Sequence, residues 1–352
     1  MVTEIFWVDK DSQAILEKAA ALLKNGSLVA IPTETVYGLG ANALDGEACL
    51  RIFEAKGRPS DNPLIVHISD PRDAENIAYT NSLYYSLAEK FMPGPLTVIL
   101  PKKEIIPNEV TAGLDSVAVR CPMHPVANEL IKIAGIPIAA PSANSSGKPS
   151  PTTASHVLDD MNGKIPLILD GGACDVGVES TVVKITDSEI ILLRPGAVTV
   201  EMLKTVCPQV SIAGAVKEEL KAGETPLSPG MKYKHYAPKA NLYLVDDKNV
   251  SFIELAKQKQ KDENCAVMCY NEEIPLLENK NLLPVGDEKD IKNQTKNLFI
   301  LLREADKLGV DTIYAHLPQD EGESLAIYNR MIRACAHRVI SRLKEGGIHG
   351  EG

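Results

Sequence analysis

The sequence predicts an α/β protein in two parts. Up to residue 206, apolar runs of strand length alternate with helical stripes, and each run ends in a polar loop rich in Gly and Pro. From 207 to 239, Pro, Gly, Lys and Glu mix without sustained apolar periodicity, which predicts a linker. From 240 to 352, strand-like and helix-like runs alternate again, which predicts a smaller Rossmann-like parallel α/β domain.

The first element is a helix capped by Asp11 or Ser12, with Ile15, Leu16, Ala19, Ala20, Leu22 and Leu23 as its apolar stripe and Gly26 as its stop. Leu28–Ile31 reads as a buried strand. It runs into Pro-Thr-Glu-Thr-Val-Tyr-Gly-Leu-Gly at 32–40, where Pro32 has no N–H for a neighbouring strand. Hydroxyls, a carboxylate and a phenol thus gather at the end of a core strand, a common place for a site in an α/β protein. Glu47–Lys56 is helical, with Cys49, Leu50, Ile52 and Phe53 facing inward.

The loop Lys56–Pro63 sets Lys56 and Arg58 two residues apart, with Asn62 four further on. A point charge and a bidentate fork on a glycine-bearing loop suit a polyphosphate; for one such pair alone, an exposed charged loop is the ordinary alternative. Leu64–Ile68 is a strand that ends near His67. Phe91–Pro95 is a turn feeding the strand Leu96–Leu100, and Ser116–Pro122 is a strand whose end offers Arg120. An arginine emerging from a buried strand needs an anion, either a ligand or a structural Glu or Asp.

Ile136–Ala140 is the next strand. It leads into Pro141–Thr152, crowded with hydroxyls, Asn144 and Lys148. Gly147-Lys148 there does not make a Walker loop: no glycine stands five before Gly147, and Pro149 occupies the Ser/Thr position. A short helix at Thr153–Met161, a strand at Ile165–Asp170 and a polar-to-strand junction at Glu179–Val183 follow. The strand Ile190–Leu193 ends in Arg194-Pro195-Gly196.

The bulk properties exclude several classes. At 352 residues and 44% hydrophobic content the chain can bury one large core or two smaller ones, yet no apolar run reaches the length of a membrane span. The N-terminus has no basic-then-apolar signal pattern. Seven scattered cysteines without a Cys-x-x-Cys pair suit reduced thiols, hence a cytoplasmic location. A net charge of −10 argues against a broad grip on nucleic acid; residues 241–352 hold 15 basic and 19 acidic side chains, so neither part is basic. Without HExxH or a carboxylate cluster, the inventory suits binding a phosphorylated nucleotide with a small zwitterion rather than metal hydrolysis.

Taken in order, the motifs at 32–40, 56–64, 93–97, 119–122, 141–147, 179–183 and 194–196 resemble the Sua5/YrdC family of threonylcarbamoyl-AMP synthases. The rest of the chain resembles the longer Sua5 form, with Ser-Pro-Gly-Met-Lys-Tyr-Lys-His-Tyr-Ala-Pro at 228–238 in its linker. Lys232 stands there where many relatives carry arginine. The resemblance implies a YrdC-like twisted mixed sheet with helices over 1–206, a linker over 207–239 and the Sua5 C-terminal domain over 240–352. It implies that L-threonine, bicarbonate or CO2, and ATP give threonylcarbamoyl-AMP and pyrophosphate. The product passes to the transferase machinery that modifies adenosine beside the tRNA anticodon. Threonine is expected on Thr35, His67, Arg120, the Ala140 backbone and Ser180. ATP is expected on Lys56, Arg58, Asn62, Ser116, Ser142, Asn144, Ser150, Arg194 and Tyr236, with Lys56 and Arg58 as catalytic residues. Mg2+ is expected to arrive on the nucleotide, with no metal ligands from side chains. A weak contact with tRNA, as double-stranded RNA, belongs to the same set.

In the last third, strands are expected at Asn241–Val245, Cys265–Tyr270, Leu282–Val285 and Thr312–His316, and helices at Phe252–Lys261, Ile291–Leu308 and Ser324–Leu343. No Gly-x-Gly-x-x-Gly fingerprint opens this domain, so dinucleotide binding is not expected. Lys232–Tyr236 is expected to fold over the nucleotide as a lid, a solvated basic tether being the alternative. Two rival functions stand beside the enzyme. One is an RNA-binding module, against which the acidic charge speaks. The other is a carbamoyl-transferring domain of hydrogenase-maturation type, which would bring acylphosphatase and zinc-finger segments not visible here.

Overall fold

The computed structural model describes residues 2–217 and 236–341, which fall into two compact units. Residues 2–146 and 150–217 form the first; 147–149 and 236–341 form the second. The three residues 147–149, expected within the first domain, thus cluster with the second.

In the first unit the chain runs β1 (Glu4–Trp7), α1 (Gln13–Lys24), β2 (Val29–Ile31), β3 (Gly38–Asn42), α2 (Gly46–Lys56) and β4 (Ile65–His67). There follow α3 (Ala74–Ile77), α4 (Ser82–Phe91), β5 (Leu96–Pro101), α5 (Asn108–Thr111), β6 (Ser116–Arg120), α6 (Pro125–Ala134) and β7 (Ile138–Ala139). The unit closes with α7 (Ala154–Met161), β8 (Leu167–Asp170), β9 (Thr181–Ile185), β10 (Ile190–Arg194), α8 (Val200–Lys204) and β11 (Val210–Ile212). Among the described residues its strands form one eleven-stranded mixed sheet, in the order β1-β8-β2-β3-β7-β4-β6-β5-β9-β10-β11.

Local chemistry accounts for the helices that frame it. The predicted stripe of α1 holds, with Leu16, Ala19, Ala20 and Leu23 buried and Leu22 and Ile15 half-buried against the core. Its Ser12 makes no cap; the hydroxyl turns instead to Asp9. Helix α2 starts on Asp45, whose carboxylate accepts the Ala48 N–H, and ends on Gly57 in the left-handed region at φ 61°. That reversal turns the chain into the Lys56–Pro63 loop directly after the helix. The core under β2 and β8 is built by α1 and α6, where Leu16, Leu23, Leu130 and Ile131 meet Val29, Ile31 and Leu167.

Register is what positions the site. One row of paired residues crosses six strands: Ile138 beside His67, His67 beside Arg120, Arg120 beside Thr97, Thr97 beside Val182, and Val182 beside Arg194. Neighbouring strands lie about 4.8 Å apart, so a histidine and two arginines from distant parts of the sequence share one line across the sheet.

The second unit contains β12 (Asn241–Val245), α9 (Phe252–Asp262), β13 (Cys265–Tyr270), β14 (Leu282–Gly286), α10 (Ile291–Leu308), β15 (Thr312–His316), α11 (Leu325–Ala334) and β16 (Val339–Ile340). Its strands are all parallel, in the order β14-β13-β15-β12-β16. The four expected strands are present. The single helix expected over 324–343 is not: α11 stops at Ala334, because Ala336 and His337 adopt left-handed backbone at φ 49° and 59°, and the chain re-enters the sheet as β16. Among the described residues no helix is long and apolar enough to cross a membrane.

Candidate active site

The segment 32–37 leaves β2 and re-enters the sheet as β3, and it is fixed by its own side chains. The Thr33 hydroxyl donates to the Val36 carbonyl at 2.6 Å and accepts the N–H groups of Thr35 and Val36. The backbone carbonyls of Glu34 and Thr35 accept from Val176 and Gly177 at 2.8 and 3.2 Å. Thr33, Glu34 and Thr35 are all buried, although all are polar.

Arg120 ends β6 and is 4% exposed. Its Nη2 donates to Glu34 Oε1 at 2.6 Å, and Glu34 Oε2 accepts the Met123 N–H at 3.2 Å. Burial raises the Glu34 carboxyl pKa, but the charge and hydrogen bond of Arg120 outweigh it and hold the group below the usual carboxylate range. The sequence left open whether Arg120 meets a ligand or a structural acid. The acid is Glu34, one residue before Thr35, and the sequence reading named it only as one carboxylate in the 32–40 stretch.

His67 ends β4, with Nδ1 3.1 Å from the Ile65 carbonyl. Burial, helped by the neighbouring Arg120 charge, lowers its pKa to about 3, so the imidazole is neutral near pH 7. Ala140 follows β7 and donates its N–H to the Ile65 carbonyl. On the other flank the Ser180 hydroxyl meets Thr97 at 2.7 Å and accepts from Arg194 Nη2 at 3.2 Å, while Arg194 Nε donates to the Ser180 carbonyl. Gly196 makes that approach feasible: a Cβ there would stand 2.5 Å from the Thr181 nitrogen and 2.8 Å from the Glu179 carbonyl. Ser150 donates to Glu179 at 2.5 Å, next to Ser180.

A second cluster adjoins the first through the strand bridge of Gly38 to Ser142. Lys56, the last residue of α2, buries its ammonium against the carbonyls of Ser142 and Asn144 at 2.5 and 2.6 Å. Burial and the nearby Arg58 push its pKa well down. The Ser142 hydroxyl donates to the Asn144 side chain at 2.6 Å. Arg58 is half-buried, lies over the Phe53 ring and donates to the Asn62 carbonyl at 3.4 Å. The Asn62 side chain is fully buried, and neither amide atom has a hydrogen-bond partner among the described residues.

The structure therefore sets His67, Arg120 and Arg194 in one row, with Thr35 next to the Glu34 that pairs with Arg120, Ala140 hydrogen-bonded to β4, and Ser180 and, through Glu179, Ser150 on the Arg194 flank. Lys56, Ser142 and Asn144 form the second cluster, and Arg58 and Asn62 follow Lys56 on its loop. One expected residue lies apart from these groups. Ser116 opens β6, four residues before Arg120, hence about 13 Å along the strand. Tyr236 belongs to the second unit, where it is buried and stacks on Phe299 at 5.1 Å between ring centres. Lys232, Tyr233, Lys234 and His235 lie outside the described residues. No group of three or more His, Cys, Asp or Glu able to hold a metal occurs among the described residues.

A family model for Sua5, YciO and YrdC proteins, described as telomere recombination, matches residues 21–196. A second model, for the C-terminal domain of threonylcarbamoyl-AMP synthase, matches 198–336. The chain belongs to the Sua5/YrdC family. The threonylcarbamoyl-AMP synthase of Pyrococcus abyssi is 46% identical over 92% of this chain and 94% of its own length. The threonylcarbamoyl-AMP synthase of Bacillus subtilis is 43% identical over the same shares. The crystal structure of P. abyssi Sua5 complexed with L-threonine aligns with a TM-score of 0.86 at 42% identity, covering 97% of this chain and 99% of that one. Both parts of the Sua5 form are thus matched, the eleven-stranded unit and the parallel one.

Proposed function

We propose that the chain is an L-threonylcarbamoyladenylate synthase, joining L-threonine, bicarbonate or CO2, and ATP into threonylcarbamoyl-AMP with release of pyrophosphate. The observation that carries this reading is the pairing of two clusters within a chain similar along both domains to synthases of that name. One cluster offers a buried arginine and neutral polar groups, as an amino acid requires. The other offers a lysine, an arginine and an unsatisfied buried amide, as a nucleotide requires.

Arg120 takes the threonine carboxylate, with Thr35, His67, Ser180 and the Ala140 backbone around the rest of the molecule. Asn62 and Arg58 meet the nucleotide, together with Ser116, Ser142, Asn144, Ser150, Arg194 and, from the linker's end, Tyr236. Lys56 acts on the nucleotide site through the 142–144 loop that it holds. The threonine amine loses a proton and adds to CO2; a carbamate oxygen then attacks the α-phosphorus as pyrophosphate leaves. Such a step needs alignment and charge neutralisation more than a strong protein base, which fits a site whose histidine is neutral. Mg2+ brought by the nucleotide would shield the phosphates, with no side-chain ligand required of this chain.

The product feeds a separate transferase acting on tRNA, with only a weak contact between this acidic chain and the RNA, and the reaction takes place in the cytoplasm. The domain boundaries 1–206, 207–239 and 240–352 belong to this reading, with the linker as lid. Pyrophosphate release from ATP, with threonine and bicarbonate omitted in turn, tests it. Release that requires both supports it, and release with carbamoyl phosphate but without threonine would transfer the chain to the hydrogenase-maturation type.

A further inference from the structure

Resting on the reading that the first cluster binds an amino acid, we propose that Glu34 is its positioning residue. Glu34 holds the Arg120 guanidinium so that one edge is left for a carboxylate, and the segment around it sorts the two ends of the ligand.

A guanidinium has five N–H bonds. Arg120 directs Nε at the Gly94 carbonyl at 3.4 Å and one Nη2 proton at Glu34; no described residue accepts from Nη1. The Nη1–Nη2 edge therefore keeps donors for a bidentate carboxylate. Glu34 is itself held twice, by the Met123 N–H on its second oxygen and by Val176 on its backbone carbonyl. Its carboxylate is thus in place before any ligand arrives, and Arg120 does not have to be ordered on binding.

The adjacent hydroxyls have a determined proton order. Thr33 spends its one proton on the Val36 carbonyl, so in its 2.9 Å contact with Thr35 the donor is Thr35. The Thr35 oxygen can then only accept from a ligand, which suits an amine or hydroxyl and rejects a carboxylate. Arg120 donates and Thr35 accepts, so an amino acid has one favoured orientation, carboxylate toward Arg120.

Equilibrium binding of L-threonine and of L-threoninamide to the full chain tests the assignment, alongside the KM values for threonine and ATP. Wild type prefers threonine to the uncharged amide. In Glu34→Gln threonine affinity falls at least tenfold, the preference over threoninamide collapses and the KM for ATP stays within twofold. Glu34→Asp, which keeps the charge with a shorter reach, recovers the preference. Glu34→Gln binding threonine like wild type, or losing threonine, threoninamide and ATP alike with a lowered melting temperature, overturns the assignment. If Glu34→Gln does not fold, the Asp variant decides alone: a preference lost despite the retained charge overturns it. Wild type that binds ATP but no threonine instead overturns the functional reading beneath it.

Discussion

Asn62 carries a primary amide into a fully buried position where neither of its polar atoms is hydrogen-bonded by a described residue. Such an amide costs about 1–3 kcal/mol until something satisfies it. Asn62→Leu, close in volume, should therefore leave the melting temperature of the ligand-free chain unchanged or raised while raising the KM for ATP about tenfold. A variant equally destabilised with and without ATP would make Asn62 structural. Lys56→Ala or Arg58→Ala should slow pyrophosphate release by two orders of magnitude or more; near-normal turnover would remove them from the mechanism. His67, with its pKa lowered from 6.5 to about 3, stays neutral in the fold while the unfolded chain takes up a proton. Its contribution to stability is present above pH 6.5 and is lost as pH falls from 6.5 toward 3. His67→Asn should flatten the pH dependence of melting in that window.

At the scale of elements, the clearest titration sits at the strand ends of the second unit. His316 closes β15 with Nδ1 2.6 Å from Asp247 and Nε2 2.9 Å from Glu273, its ring between those of Phe252 and Tyr270. Two acceptors require two protons, so this is an imidazolium. Burial opposes the charge, and the two carboxylates overcome it and raise the pKa to about 9. The stability it contributes is complete below pH 6.5 and lost as pH rises through 9. Melting followed from pH 7 to 10 should fall in wild type more steeply than in His316→Gln; parallel curves would contradict the ion pairs. Elements were legible in the sequence where an apolar run alone decides them, as at β12, β13, β15 and α10. Gly38–Asn42 carries two glycines and no apolar run of strand length, yet it is strand β3, since pairing to β2 and β7 overrides composition. The break after α11 depends on two left-handed non-glycine residues, which no local pattern announces.

At the scale of the molecule, the sequence read two α/β units correctly because each repeats its own rhythm of runs and loops. Most of the candidate site was legible through the family's motifs, which place Arg120 and His67 at strand ends. Their partners were not, because the row from Ile138 to Arg194 is a product of strand order, and strand order is set by packing. Glu34 reaches Arg120 across 86 positions of sequence for that reason. The net charge of −10 bears on the whole chain, and tRNA binding should be weak, with affinity falling further as salt rises from 50 to 200 mM. Tight binding that salt does not weaken would revive the RNA-module reading.

Activation of a carbamate built on the threonine amine, with the carboxylate held at Arg120, is tested most directly through its product. The chain should be incubated with ATP, L-threonine and 13C-bicarbonate, and the adenylate analysed by mass spectrometry. An AMP adduct with the mass of threonine plus one labelled carboxyl carbon, formed in step with pyrophosphate, is the expected result. An unlabelled threonyl-AMP, or pyrophosphate release that does not depend on bicarbonate, would contradict it.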